Sequence, residues 1–147
     1  MPEIEFRQAA NDDWEFISLL LKPELKSYLS SVWPHQKDSN QFFNLKKSHF
    51  NLGRTTIISF KGVDIGRIAL KETQDTIYIE EIQLWYDTEQ LEISQAVIEQ
   101  MVLERLTLVG QAKCSLHFDN PLNDLMNKLG FSCYYQTEQR NYYRIVA

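Results

Sequence analysis

The stretch from Asp75 to Glu104 constrains the fold more than any other. Thr76-Ile77-Tyr78-Ile79-Glu80-Glu81-Ile82-Gln83-Leu84-Trp85 has the β-branched and aromatic content of a strand packed on at least one face. A long helix follows: Asp87 or Thr88 can cap it, and Gln90 stands in the reciprocal capping position. Leu91, Ala96, Val97, Ile98, Met101, Val102 and Leu106 supply its apolar side. The first amides of such a helix lack main-chain partners and point outward, so a strand running into a helix N-terminus is a place where α/β proteins hold anionic ligands.

The rest of the chain supplies strands and helices around this centre. Glu3 to Arg7 alternates apolar and charged residues like a half-buried strand. Asn11 or Asp12 then caps a helix carrying Trp14, Ile17, Leu20 and Leu21, which Pro23 ends. A second helix is expected over about Glu24 to Val32, and a third, with Phe42, Phe43 and Leu45, over about Ser39 to Phe50. Thr55 to Phe60 and Ile65 to Lys71, joined by Lys61-Gly62-Val63-Asp64, read as a β-hairpin. After the central helix come a strand at Lys113 to Phe118 and a short helix at Pro121 to Leu129. Two aromatic-rich runs, Phe131 to Gln136 and Asn141 to Val146, then read as an antiparallel pair.

The 147 residues fit one domain spanning 1–147, without linker, repeat or low-complexity tract. Met1 to Phe6 has neither the basic flank nor the apolar core of a signal peptide, and no apolar run is long enough to span a bilayer. A cytoplasmic protein without membrane association is expected. Cys114 and Cys133 read as free, buried thiols of a reducing compartment. A net charge of −5 without a basic cluster argues against nucleic acid as a partner. From Glu72 to Glu104 there is no Lys or Arg, so a ligand there meets an acidic surface. His35, His49 and His117 have no partner at a metal-ligand or nucleophile-activating spacing, and no metal is expected.

Cys114-Ser115-Leu116-His117-Phe118, followed by Asp119-Asn120-Pro121-Leu122-Asn123-Asp124-Leu125-Met126-Asn127-Lys128-Leu129-Gly130-Phe131, resembles a strand, helix and turn of the GNAT superfamily of acyl-CoA-dependent N-acetyltransferases. The family form is Asn-x-x-Ala … Leu-Tyr-Glu-Lys-Leu-Gly-Phe, and the Lys-Leu-Gly-Phe end is intact here. The resemblance covers roughly residues 54 to 136, with Gly66 where the family often has a glycine early in the hairpin's second strand. It implies an α/β (α+β) fold: a mixed, mostly antiparallel sheet of about seven strands, with helices on both faces and strands splayed at the centre. It also implies transfer of an acetyl group from acetyl-CoA to an amine.

The resemblance carries site residues with it. The cofactor would enter between the splayed strands at Leu84 to Tyr86 and Leu116. The family's pyrophosphate loop, Gln/Arg-x-x-Gly-x-Gly/Ala, falls on Glu89-Gln90-Leu91-Glu92-Ile93-Ser94. Both glycine places are filled, by Glu92 and Ser94, and Glu89 replaces the leading Gln or Arg. Glu92, Ile93, Ser94 and Gln95 would face the cofactor, with Asn120 standing in for the family asparagine whose place Asp119 takes. Met126 occupies the position of the tyrosine that many members use as general acid. Glu81 or Glu80 would be the general base, and Trp33, His35 and Phe42 would line the acceptor site.

Two readings of function follow. One is an acetyltransferase acting on a small-molecule or protein amine. The other is a catalytically inactive binding module, with Trp33, Phe42 and Trp85 as an aromatic surface for a partner or for a second copy in a homodimer. Each departure also has a plain reading: Glu89 and Glu92 stabilise a helix end, Met126 and the aromatics fill the core, and Glu80 and Glu81 are ordinary strand carboxylates.

Overall fold

The computed structural model of the chain describes residues 4–30, 39–85 and 90–147. Its strands are β1 Ile4–Gln8, β2 Thr55–Phe60, β3 Val63–Glu72, β4 Thr76–Leu84, β5 Gln111–His117, β6 Ser132–Gln136 and β7 Arg140–Val146. Its helices are α1 Trp14–Leu20, α2 Lys22–Ser30, α3 Ser39–Ser48, α4 Gln90–Met101, α5 Leu106–Val109 and α6 Leu122–Lys128. The seven strands hydrogen-bond in the order β1-β2-β3-β4-β5-β7-β6. The sheet is mostly antiparallel, as expected, and β4 with β5 is a parallel pair. Among the described residues no helix is long and apolar enough to cross a membrane. The described residues cluster into two compact units, one within residues 4–68 with 83–85 and the other within residues 69–82 with 90–147.

In the first unit Ala9, Ile17, Leu21, Phe42 and Ile57 form one buried cluster, with Trp14, Phe16, Leu25, Phe43, Phe50 and Leu52 packed against it. The apolar spacing of α1 and α3 thus closes over β2. The cap of α1 differs from expectation. Among the described residues no side chain caps α1: a 3-10 turn at Asn11–Asp13 precedes it, and Asp13 reaches back to accept the main-chain N–H of Ala10 at 2.8 Å and a two-pronged ion pair from Arg7, both arms at 2.8 Å. Pro23 does not end α1 but sits in the first turn of α2, where its missing N–H costs no hydrogen bond. Phe42 is 3 % exposed, so it contributes nothing to an exposed aromatic surface; Trp85, 45 % exposed and edge-on to Phe16 at 5.3 Å, does.

Gly66 is required by close approach. A Cβ there would stand 2.4 Å from the Gln83 carbonyl oxygen and 2.7 Å from Leu84 Cδ2. Beside it Arg67 is buried, its Nε donating to Gln83 Oε1 at 2.6 Å. Gln83 Nε2 in turn donates to Glu24 at 2.7 Å, and Lys46 pairs with Glu24 at 3.3 Å.

In the second unit Ala112, Cys114 and Leu116 of β5 alternate inward with Ile77 and Ile79 of β4. The Lys-Leu-Gly-Phe end is a helix stop: Gly130 has φ 100°, and Phe131 N–H returns to the Met126 carbonyl at 3.0 Å, closing a Schellman turn. Both cysteines are free, but only Cys114 is buried. Cys133 is exposed, because β6 is the last strand of the sheet and all five of its residues face solvent. The central helix is shorter than its pattern suggests: α4 stops at Met101, and a 3-10 turn at Leu103–Arg105 leads into α5.

Two outcomes test these packing claims. Gly66→Ala should lower stability by about 2–3 kcal/mol, read as a fall in Tm of roughly 5–10 °C. Arg7 depresses the Asp13 carboxyl below the usual carboxylate range, so the folded state binds that proton more weakly than the unfolded chain. The pair's contribution is therefore whole above about pH 4 and is lost as pH falls through the lower folded value. Arg7 is 45 % exposed and screened, so Asp13→Asn should cost only about 1–2 kcal/mol at neutral pH in urea unfolding. The gap between variant and parent should narrow below about pH 4.

Candidate functional site

The parallel ladder between β4 and β5 runs from Thr76↔Gln111 to Ile79↔Cys114 and ends there, although both strands continue. Past that point Glu80, Glu81 and Ile82 face Ser115, Leu116 and His117 without register pairs among the described residues. Parallel strands diverging in this way leave a strand edge with main-chain donors and acceptors outside any ladder. The opening is lined from the β4 side by the two glutamates named above. Alternation puts Glu80 on the exposed face with Tyr78, and Glu81, half-buried, on the inward face with Ile77 and Ile79.

On the β5 side the free ends are tied by side chains. Arg140 donates from Nη2 to the Ser115 carbonyl at 2.9 Å, and from Nε and Nη2 to Ser115 Oγ at 3.2 and 3.0 Å. Asn123 is the busiest polar group. Its Nδ2 donates to the carbonyls of His117, Phe118 and Asn120 at 2.9, 3.2 and 2.8 Å. Its Oδ1 accepts from Asn141 at 3.0 Å and from the Tyr143 hydroxyl at 2.7 Å. Burial pushes the Tyr143 phenol up, so that hydroxyl stays protonated and donating. At the end of β5, His117 Nδ1 meets Asp119 Oδ1 at 2.5 Å, leaving Nε2 as the second ring nitrogen.

The positions expected to meet the cofactor are distributed unevenly. Leu84 and Ile93 are buried, so only their main chain can take part. Glu92 and Gln95 are exposed on α4, with Gln95 donating to Glu99 at 2.8 Å. Ser94, fully buried, has no hydrogen-bond partner for its hydroxyl among the described residues. Gln90 to Ser94 are already helical, so the counterpart of the glycine-rich loop is the opening turn of α4, with an exposed carboxylate in it. Asn120 uses its side chain to accept the Leu122 N–H at 2.9 Å, just ahead of α6. Met126, in the place of the tyrosine acid, is 1 % exposed and is a core residue. Trp33, His35 and Tyr86 lie outside the described residues.

Burial lifts the Cys114 thiol to about 12, partly offset by the charge of Arg140 and reinforced by that of Glu81. It is therefore a thiol, not a nucleophilic thiolate, at neutral pH. Among the described residues no group of His, Cys, Asp and Glu could hold a metal ion.

No protein-family model matches the sequence, and no curated protein matches it. Solved structures do match its backbone over nearly its full length. An acetyltransferase of the GNAT family from Streptococcus agalactiae aligns with a TM-score of 0.72 at 12 % identity, over 100 % of this chain and 98 % of that one. The chain has the GNAT acetyltransferase fold. PaiA N-acetyltransferase from Thermoplasma acidophilum, solved in complex with coenzyme A, aligns at 0.68 with 13 % identity over 99 % of both chains. Spermidine N-acetyltransferase from Vibrio cholerae, in complex with CoA and spermine, aligns at 0.66 with 13 % identity over 98 % of this chain and 95 % of that one. At these identities the GNAT likeness is one of fold.

The sequence reading gave His117 no partner, yet Asp119, two residues on, meets its ring; the His-x-Asp step at a strand end was the available signal. Asn123 and Arg140 gave none, since their partners come from residues brought together only by strand register. Replacing Asn123 by Ala leaves the Tyr143 hydroxyl and two strand-end carbonyls to find other partners, so stability should fall by roughly 2–3 kcal/mol in denaturant unfolding. Asn123→Asp, which keeps the acceptor for Tyr143 and Asn141, should fall between it and the parent.

Proposed function

We propose that the chain transfers an acetyl group from acetyl-CoA to an amine. The observation that carries this reading is the early end of the β4–β5 ladder, which leaves a polar main-chain edge beside two carboxylates. Residues 80–82 and 115–117 fit the amide-bearing arm of the cofactor, and the first amides of α4 fit its phosphates, with Glu92 weakening that end. When bound, acetyl-CoA supplies an activated acyl thioester. Glu81, half-buried at the opening, takes the proton from the acceptor's ammonium group and leaves the neutral amine as the nucleophile, and Glu80 adds negative charge that favours a cationic acceptor. His117, oriented by Asp119, is the second group able to accept or return a proton there. Structural neighbours that include a spermidine N-acetyltransferase support an amine as the acceptor class.

Two observations favour a second reading, a fold retained for binding without catalysis: the exposed Glu92 carboxylate in the first turn of α4, and the buried Met126 where a proton donor would stand.

Thermal unfolding with acetyl-CoA, and with CoA and ATP as controls, separates the two. At about 100 times its Kd the cofactor should raise Tm by roughly 5–10 °C. Glu81→Gln should keep that shift while turnover of a polyamine acceptor drops by about 10²-fold or more. Unchanged turnover removes Glu81 from the mechanism, and no Tm shift at millimolar acetyl-CoA establishes the binding-module reading.

A further inference from the structure

A cavity of about 380 Å³ opens on the exposed face of the second unit's strands, lined by Lys71, Tyr78, Glu80, Lys113, Tyr134 and Tyr142. We infer that it is a binding site for a nucleotide, a planar base joined through ribose to phosphate, either free or as one unit of a single-stranded nucleic acid. This site does not depend on the acetyltransferase reading.

Strand register assembles it. Lys113↔Arg144, Ser115↔Tyr142 and His117↔Arg140 are cross-strand pairs of β5 and β7, so alternation brings Lys113, Tyr142, Arg140 and Arg144 to one face. Two cations, Lys71 and Lys113, thus line the cavity together with Glu80, and Arg140 and Arg144 stand on the same face of the neighbouring strand, although the sequence shows no basic run and the chain has a net charge of −5. A localised positive patch on an otherwise anionic protein selects an anion for this face.

The aromatic content selects a planar one. Tyr78 and Tyr134 are 36 % and 48 % exposed, and Tyr135, at 57 %, stands 5.5 Å from the Tyr142 ring. Lys113 Nζ lies 5.7 Å and the Arg144 guanidinium 5.5 Å from the Tyr134 ring centre, which holds that ring while keeping both charges at the surface. Exposed aromatic rings on a sheet, interleaved with cations, are the chemistry by which bases stack while phosphates find positive charge. The volume lies toward the lower end of the ~300–1,000 Å³ typical of small-ligand pockets.

The test is direct titration by NMR of the full chain with AMP, adenosine, inorganic phosphate and a short oligoadenylate, without acetyl-CoA. AMP should bind saturably, and adenosine and phosphate each more weakly by about tenfold or more. Tyr134→Ala should weaken AMP by about 5- to 100-fold, and Lys113→Gln should weaken it several-fold with a shallower salt dependence. Both residues lie at the surface, and an unchanged Tm shows that the fold is intact; should Tyr134→Ala unfold, Lys113→Gln still decides. Oligoadenylate binding far tighter than AMP assigns a strand as ligand, and equal binding assigns a free nucleotide. No saturable binding of AMP or oligoadenylate at millimolar concentration, or affinity unchanged in the folded variants, overturns the inference.

Discussion

The structure turns on a ladder that stops. β4 and β5 share only the register pairs from Thr76↔Gln111 to Ile79↔Cys114, and every strand group beyond must find another partner or remain at an open edge. Side chains take part of that load on β5: Arg140 holds the Ser115 carbonyl, and Asn123 holds those of His117 and Phe118. Each is anchored elsewhere, Arg140 on β7 and Asn123 through Tyr143 and Asn141, so the divergence is braced and not merely frayed. A braced opening with residual main-chain polarity is what an extended, amide-containing ligand can enter as a partial third strand.

The first unit meets a different constraint, a buried cation. Arg67 is 2 % exposed, and removing a guanidinium from water is costly unless it is hydrogen-bonded and its charge is balanced. Gln83 links it to Glu24, and Lys46 joins the line at the half-exposed end. The adjacent Gly66 serves the same region, since only a residue without Cβ lets β3 approach Gln83 and Leu84 so closely. Close strand approach and a satisfied buried charge are thus two conditions on one piece of backbone.

What the sequence disclosed was what is local. The β-branched run at Thr76–Trp85, the hairpin expected around Lys61-Gly62-Val63-Asp64 and the helix stop at Lys-Leu-Gly-Phe each depend on residues within a few positions, and all appear in the structure, the hairpin with the tighter loop Lys61-Gly62. Misassignments came where neighbours compete. Asn11 and Asp12 are residue types that cap helices, yet the turn they open is held by Asp13, which accepts the Ala10 N–H and pairs with Arg7, and no side chain among the described residues caps α1 itself. What the sequence hid is long-range. Lys71 and Lys113 are far apart in a chain with no basic stripe, and only the sheet brings them to one cavity, with Arg140 and Arg144 on the same face of the next strand. Cys133 read as buried because its neighbours are aromatic, yet the strand that carries it is an edge strand, a property of topology alone.

Magnitudes bear on whether the departures from the GNAT pattern would abolish activity. A like charge about 4 Å from a phosphate costs roughly 1 kcal/mol in bulk water and about 4 kcal/mol at an effective dielectric near 20. Glu92 is exposed, so its penalty belongs at the lower limit, a loss of about fivefold that main-chain contacts along the strand edge can offset. The missing tyrosine weighs more, because a general acid contributes about 10²–10⁴-fold to the chemical step and buried Met126 cannot replace it. The two departures therefore act on different quantities. On the proposed acetyltransferase reading, the charge at α4 would lower affinity modestly, whereas the absence of a proton donor would lower turnover, unless His117, held by Asp119, returned the proton to the departing thiolate.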